Sequence, residues 1–139
     1  MTSEENLIFL LDLSSENFNQ MLLHIKDIVK SMYDNINISI ITFCVNINII
    51  VPLTKIDLQS KYEILDKIEL ITNSNEKYTE SSFIEGITCC INEVSLEIVS
   101  TCLNNILILS SSHNINEMLT TINLEDILPN SKYFSITII

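Results

Sequence analysis

Glycine is almost missing from this chain, and Gly86 is the only one. The phosphate-cradling loops of dinucleotide-binding and P-loop proteins need several glycines at fixed spacing, because only a backbone without Cβ atoms approaches a phosphate that closely. Both fingerprints are therefore excluded. Basic residues are scarce too, with seven Lys and Arg against eighteen Asp and Glu and a formal net charge of -11. Nucleic-acid-binding surfaces draw their affinity from clustered cations that release counterions from phosphate, so direct binding of DNA or RNA is not expected. The acidity reads as a solvated surface or, more sharply, as a face that docks a basic partner. No apolar run approaches the roughly 20 residues that span a bilayer. Met1 to Asn6 carry Glu4 and Glu5 without a basic cluster, so neither a membrane segment nor a signal or transit peptide is expected.

Metal-binding and disulfide patterns are also lacking. Cys44, Cys89, Cys90 and Cys102 form no C-x-x-C pair, and the adjacent Cys89 and Cys90 lie inside a helical pattern where they do not readily bridge each other. They read as small buried thiols of a reducing compartment. His24 and His113 are far apart in sequence, and His24 lies off the apolar stripe of its helix as a solvated side chain. No Ser-His-Asp or Cys-His arrangement can be assembled from the sequence, so the chain is expected not to be an enzyme.

What is present is a core. Hydrophobic residues make up 47% of 139 residues with a mean hydropathy of +0.33, enough for one globular domain, 1–139, that buries roughly two-thirds of its unfolded surface. Leu7 to Leu11 form a continuous apolar run of the kind a strand buried on both faces of a parallel sheet shows. The run stops at Asp12, with Ser14, Ser15 and Glu16 following, and Phe18 opens a helical pattern. That order places a carboxylate and hydroxyls at the C-terminal edge of a central strand, where open α/β sheets build their sites.

The first helix is predicted from about Ser15 to Tyr33, with Phe18, Met21, Leu22, Ile25, Ile28, Val29 and Met32 on one face and Asp34–Asn35 ending it. Ile36 to Cys44 reads as a second inner strand. Ile47 to Val51 returns as an antiparallel edge strand closed by Pro52. Asp57 to Ile71 is the next helix, with Ser60 and Glu63 at capping-box spacing and Tyr62, Leu65, Ile68 and Ile71 on one face. A third helix carries Phe83, Ile87, Cys90, Ile91, Val94 and Ile98, with Ser82 and Glu85 spaced as its capping box. Gly86 inside that helix points to close helix–sheet packing rather than chemistry.

Asn104 to Leu109 is another buried-strand signal, ending at Ser110, Ser111 and Ser112. Asn114 and Glu117 are spaced to cap a short helix. Leu124 to Leu128 stays ambiguous, a further helical turn being one reading, and Tyr133 to Ile139 closes as a strand. The order β-α-β-β-α-α-β-α-β predicts a three-layer α-β-α fold, doubly wound around a mostly parallel sheet with one antiparallel edge strand. The Leu7–Leu11 strand is expected between those at Ile38–Phe43 and Ile106–Leu109.

A strand ending in Asp-x-Ser, a hairpin, a Thr before a later helix and a further strand ending in polar residues resemble the von Willebrand factor A domain, over nearly the whole chain. In that family a metal-ion-dependent adhesion site gathers Asp-x-Ser-x-Ser, a distant Thr and a distant Asp around one Mg²⁺ through hard oxygen ligands. Asp12 and Ser14 match the first two positions and Thr79 the distant Thr. Either Glu16 replaces the third-position Ser or the loop is about four residues short before Phe18, and the distant Asp falls at Ser111. The resemblance thus implies a degenerate metal site with no cofactor. Its remnants are Asp12, Ser14, Glu16, Thr79 and Ser111, and Asp12, Ser14, Ser15, Glu16, Ser110, Ser111, Ser112 and His113 become candidates for binding a protein.

Within the family, short matches are similar to the A-domain subunit of the transcription and DNA-repair factor TFIIH, which partners and regulates the helicase XPD. They are Tyr33-Asp34-Asn35-Ile36-Asn37-Ile38-Ser39, Glu80-x-Ser82-Phe83 and Leu109-Ser110-Ser111. The chain departs from that subunit in having neither a closing helix after the last strand nor cysteine-rich zinc modules. The resemblance implies a non-catalytic protein-interaction subunit of a multi-subunit complex, intracellular and nuclear, that docks a helicase. The alternative within the family is a ubiquitin-receptor-like A-domain subunit of the proteasome, or another intracellular A-domain scaffold.

Overall fold

The computed structural model describes residues 4–33 and 35–139. Met1–Ser3 of the amino-terminal segment and Asp34 of the expected helix end lie outside the described residues. Five strands form one sheet in the order β3-β2-β1-β4-β5. They are β1 (Glu5–Asp12), β2 (Ile36–Phe43), β3 (Ile47–Lys55), β4 (Leu103–Leu109) and β5 (Phe134–Ile138). β1 pairs in parallel with β2 and β4, β4 pairs in parallel with β5, and only β2–β3 is antiparallel. The expected three-layer fold, with β1 between β2 and β4, is what the chain adopts.

Two cores flank the sheet because side chains alternate between its faces. Phe9 and Leu11 of β1 pack with Phe18, Met21, Leu22, Ile25 and Val29 of α1 (Phe18–Ser31) and with Ile64 and Ile68 of α2 (Leu58–Glu69). Ile8 and Leu10 point the other way, against Phe83, Ile87, Cys90 and Ile91 of α3 (Glu80–Asn92) and Ile115 of α4 (Asn114–Thr121). A Cβ added at Gly86 would lie 3.1 Å from Leu10 Cδ1, so the single glycine lets α3 approach β1 closely.

Several boundaries differ from expectation, each for a local reason. α1 begins at Phe18 and ends at Ser31 rather than running from Ser15 to Tyr33, because Ser14 and Ser15 are held in a turn on Asp12. β3 runs through Pro52 to Lys55: the proline sits on the sheet's edge, where register shifts interrupt the pairing with β2. Both capping boxes lie three residues earlier than read. Asp57 caps α2 with Ser60 as its reciprocal partner, and Thr79 caps α3 with Ser82. Tyr62 faces solvent, and Ile64 takes its place in the core. α3 stops at Asn92, with Ile98 outside it and a 3₁₀ turn at Val99–Thr101. Leu124–Ile127 is a helical turn, α5, and Pro129–Tyr133 is a 3₁₀ turn.

Candidate functional site

The site is built where β1 and β4 end side by side. β1 and β4 run in register, Leu11 beside Leu109, so the next residues, Asp12 and Ser110, meet on the same face. Asp12 is only 1% exposed. Its Oδ1 accepts hydrogen bonds from the Ser14 backbone N–H at 2.9 Å and the Ser14 hydroxyl at 2.6 Å. Its Oδ2 accepts from the Ser110 hydroxyl at 2.6 Å. A carboxylate offers about four lone-pair sites, and three are taken.

The two loops are stitched together beyond this contact. Ser111 N–H donates to the buried Ser15 hydroxyl at 3.2 Å, and Glu16 N–H donates to the Ser111 hydroxyl at 3.0 Å. A third loop braces them from behind: Asn73 Nδ2 donates to the Leu13 carbonyl at 2.7 Å and the Ser74 N–H to the same oxygen at 2.9 Å. Backbone and hydroxyl pairing of this kind leaves the loops little freedom without costing a buried polar group its partner.

Above the loops lies a cavity of about 400 Å³, lined in part by Asp12, Ser14, Glu16, Ser111, Ser112 and His113. Sequence reasoning assembled those six residues. It missed Lys77, Tyr78, Asn114 and Met118, which complete the lining. The Tyr78 hydroxyl donates to the Ser112 hydroxyl at 2.7 Å, and its ring stands edge-on to Phe43 with centroids 5.2 Å apart. Burial pushes the Tyr78 phenol above its usual pKa, the Ser112 hydrogen bond opposes this, and the negative charge of Asp12 adds to the rise. The one available signal for Tyr78 was its place beside Thr79, between a polar loop and the third helix. Thr79 itself is not in the lining, because its hydroxyl accepts the Ser82 N–H at 3.1 Å and caps α3.

Ser111 was expected to stand where the family's second metal carboxylate lies. The hydroxyl that touches Asp12 is that of the preceding Ser110, while Ser111 is exposed and its hydroxyl accepts from the Glu16 backbone N–H. Among the described residues no group of three His, Cys, Asp or Glu side chains gathers in a metal-holding arrangement. The donors around Asp12 are neutral hydroxyls, which already occupy both of its oxygens. A hard divalent cation calls for more carboxylate charge than this single buried side chain supplies, so this donor set does not fit the ion that an intact site of the family holds.

Comparison with known proteins agrees on the fold. BatB from Bacteroides thetaiotaomicron superposes with a TM-score of 0.66 at 12% identity, covering 96% of this chain and 65% of that one. Proximal thread matrix protein 1 from the mussel byssus, whose adhesion-site motif holds zinc, gives 0.66 at 18% identity over 98% of this chain and 35% of that one. A von Willebrand factor type A protein from Catenulispora acidiphila gives 0.67 at 10% identity over 99% and 33%. This chain thus spans about two-thirds of BatB and about a third of the other two. No curated protein sequence matches it. The family model for the von Willebrand factor type A domain matches residues 6–94, from the central strand through the end of α3, and on that match the chain belongs to the von Willebrand factor type A domain family.

Proposed function

We infer that this chain is a non-catalytic docking subunit that binds another protein through the loops at the C-terminal edge of its sheet. The observation that carries this is the joining of Asp12–Glu16 to Ser110–Ser112 by side-chain hydrogen bonds around a buried carboxylate. Loops held this firmly lose little conformational entropy when a partner docks. The donor set offers neither an activated nucleophile nor a base paired with one. Asp12 accepts a hydroxyl on each oxygen and no hydrogen bond from a histidine, and His113 lies on the cavity wall with no hydrogen bond to a serine.

The finer assignment is a nuclear, TFIIH-like assembly in which the partner is an XPD-type helicase. It rests on the sequence matches at Tyr33–Ser39, Glu80–Phe83 and Leu109–Ser111, since the structural relatives named above are a bacterial protein and a mussel thread protein among others. Regulation would act by contact. The domain would bind one helicase conformation more tightly than another and shift its population, the only way a ligand moves such an equilibrium.

The test is a pull-down of the source organism's XPD-type helicase against its proteasome base subunits. Helicase recovery, reduced by substitutions in Asp12–Glu16 or Ser110–Asn114 that leave the fold intact, is the expected result. Recovery of proteasome particles would move the assignment to the ubiquitin-receptor branch, and recovery of neither would remove the helicase reading.

A further inference from the structure

We propose that the cavity beside Asp12 takes an arginine side chain of the docked protein, its guanidinium standing where other members of the fold would place a metal ion. This rests on the docking reading above and names the chemistry of its central contact. Asp12 is a buried carboxylate with no cation. Among the described residues the one ion pair is Lys26–Glu69, on the α1–α2 side of the sheet. Asp12 accepts from one N–H and two hydroxyls, so one of its roughly four acceptor positions is unfilled, and the residue borders the cavity. Burying a carboxylate without an opposite charge is costly, and its hydroxyl partners offset that only in part.

The rest of the lining suits a flat cation on an aliphatic stem. Tyr78 and Met118 are both half-buried and supply an apolar, polarisable wall, and the Tyr78 ring is fixed by its contact with Phe43. Guanidinium stacks on aromatic faces and donates in a planar fork to carboxylates, which a spherical ammonium cannot do. The exposed Glu16 adds a second carboxylate to the lining. Lys77 and His113 also line the cavity, and neither pairs with Asp12 or Glu16. Burial accounts for most of the rise in the Tyr78 phenol's pKa, and the Asp12 charge adds a smaller part. The chain's net charge of -11 favours the approach of a cationic partner from a distance.

The experiment titrates the full chain with N-acetyl-arginine methylamide and follows the amide NMR resonances of Ser111, Ser112 and Asn114. N-acetyl-citrulline methylamide, its neutral isostere, serves as the control. Saturable shifts are expected with the arginine compound and affinity about tenfold weaker or worse with citrulline, as the loss of a charge-assisted bond implies. Glu16→Gln, an exposed change that leaves the fold untouched, should weaken the arginine compound several-fold, and Asp12→Asn should weaken it further. Equal binding of the two compounds, or saturation by neither, overturns the proposal. So does a Mg²⁺-induced shift of the same resonances that competes with arginine, which would make this a metal site. A partner recovered by pull-down despite failure of the arginine titration would leave the docking reading standing and remove only the guanidinium. The reverse pattern would retain the cation site and remove the docking.

Discussion

The two ends of β1 each bury a polar side chain on the same face of the sheet, and they use it in opposite ways. Asn6, with 0% exposure, sits in register with Asn37 of β2 and Asn104 of β4. Asn37 Nδ2 donates to Asn6 Oδ1 at 2.9 Å, and Asn6 Nδ2 donates to Asn104 Oδ1 at 2.9 Å. Asn104 Nδ2 ends the chain of bonds on the Val99 carbonyl at 2.6 Å. Amides are donor and acceptor at once, so the fully buried Asn6 and Asn104 are satisfied by neighbouring amides and backbone carbonyls without a ligand. Asp12 can only accept, and the hydroxyls around it leave a position open beside a cavity. Burial of a polar group therefore does not by itself mark a site; an incompletely satisfied charge next to open space does.

The sharpest way to break this contrast is to put an amide where neither arrangement exists. Ile108 lies between the two clusters on the same face of β4, flanked by Leu10 and Ile138. Ile108→Asn should lose about 4 kcal/mol or more, combining an unpaired buried amide with lost packing. Denaturant unfolding measures it, and a soluble variant with wild-type melting behaviour would remove Ile108 from the core.

Next in size is Asn6→Ala, which deprives Asn104 Oδ1 of its donor and Asn37 of one acceptor. About 2 kcal/mol of stability should go, with partner binding unchanged once the loss is allowed for. Equilibrium unfolding set beside pull-down separates the two effects.

Asp12→Asn should behave in the opposite sense. The Ser110 hydroxyl can turn to accept from the new amide, so stability should change by about 1 kcal/mol or less, while capture of the partner falls. If Asp12→Asn destabilises as much as Asn6→Ala and leaves binding intact, the two ends of β1 are equivalent and the contrast fails.

The smallest expected effect is that of Mg²⁺. A ligand stabilises a fold by mass action only above its dissociation constant, so melting temperatures with millimolar Mg²⁺ and with chelator should coincide. An upward shift that disappears in Asp12→Ala would restore a metal to the site.

Local patterns carried much of the fold. Leu7–Leu11 has no polar residue to mark an exposed face, and it is the central strand with Ile8 to Leu11 fully buried. Its place at the centre of the sheet was legible because a parallel strand covered on both sides needs unbroken apolarity, whereas its full extent, Glu5–Asp12, runs past the apolar run at both ends. The antiparallel return of the chain from Ile47 and the helical face of α1 were legible for the same kind of reason, patterning set by backbone geometry. The helix starts were harder. Asp57, Ser60 and Glu63, like Thr79, Ser82 and Glu85, offer two overlapping capping boxes three residues apart. In both helices the earlier one forms, with the serine reaching back to the cap.

By itself, then, the order of residues determined the strand and helix types, the exclusion of phosphate-loop chemistry and the presence of a carboxylate with hydroxyls at the edge of the central strand. Those follow from side-chain periodicity, composition and residues within a few positions of one another. Which of three consecutive serines would reach Asp12 had no local signature. Ser110, Ser111 and Ser112 differ only in which way they face, and that is decided by the pairing of Leu11 with Leu109 across 98 positions of chain. Because successive residues of a strand point to opposite faces, a register shifted by one would have brought Ser111 toward the carboxylate and turned Ser110 away.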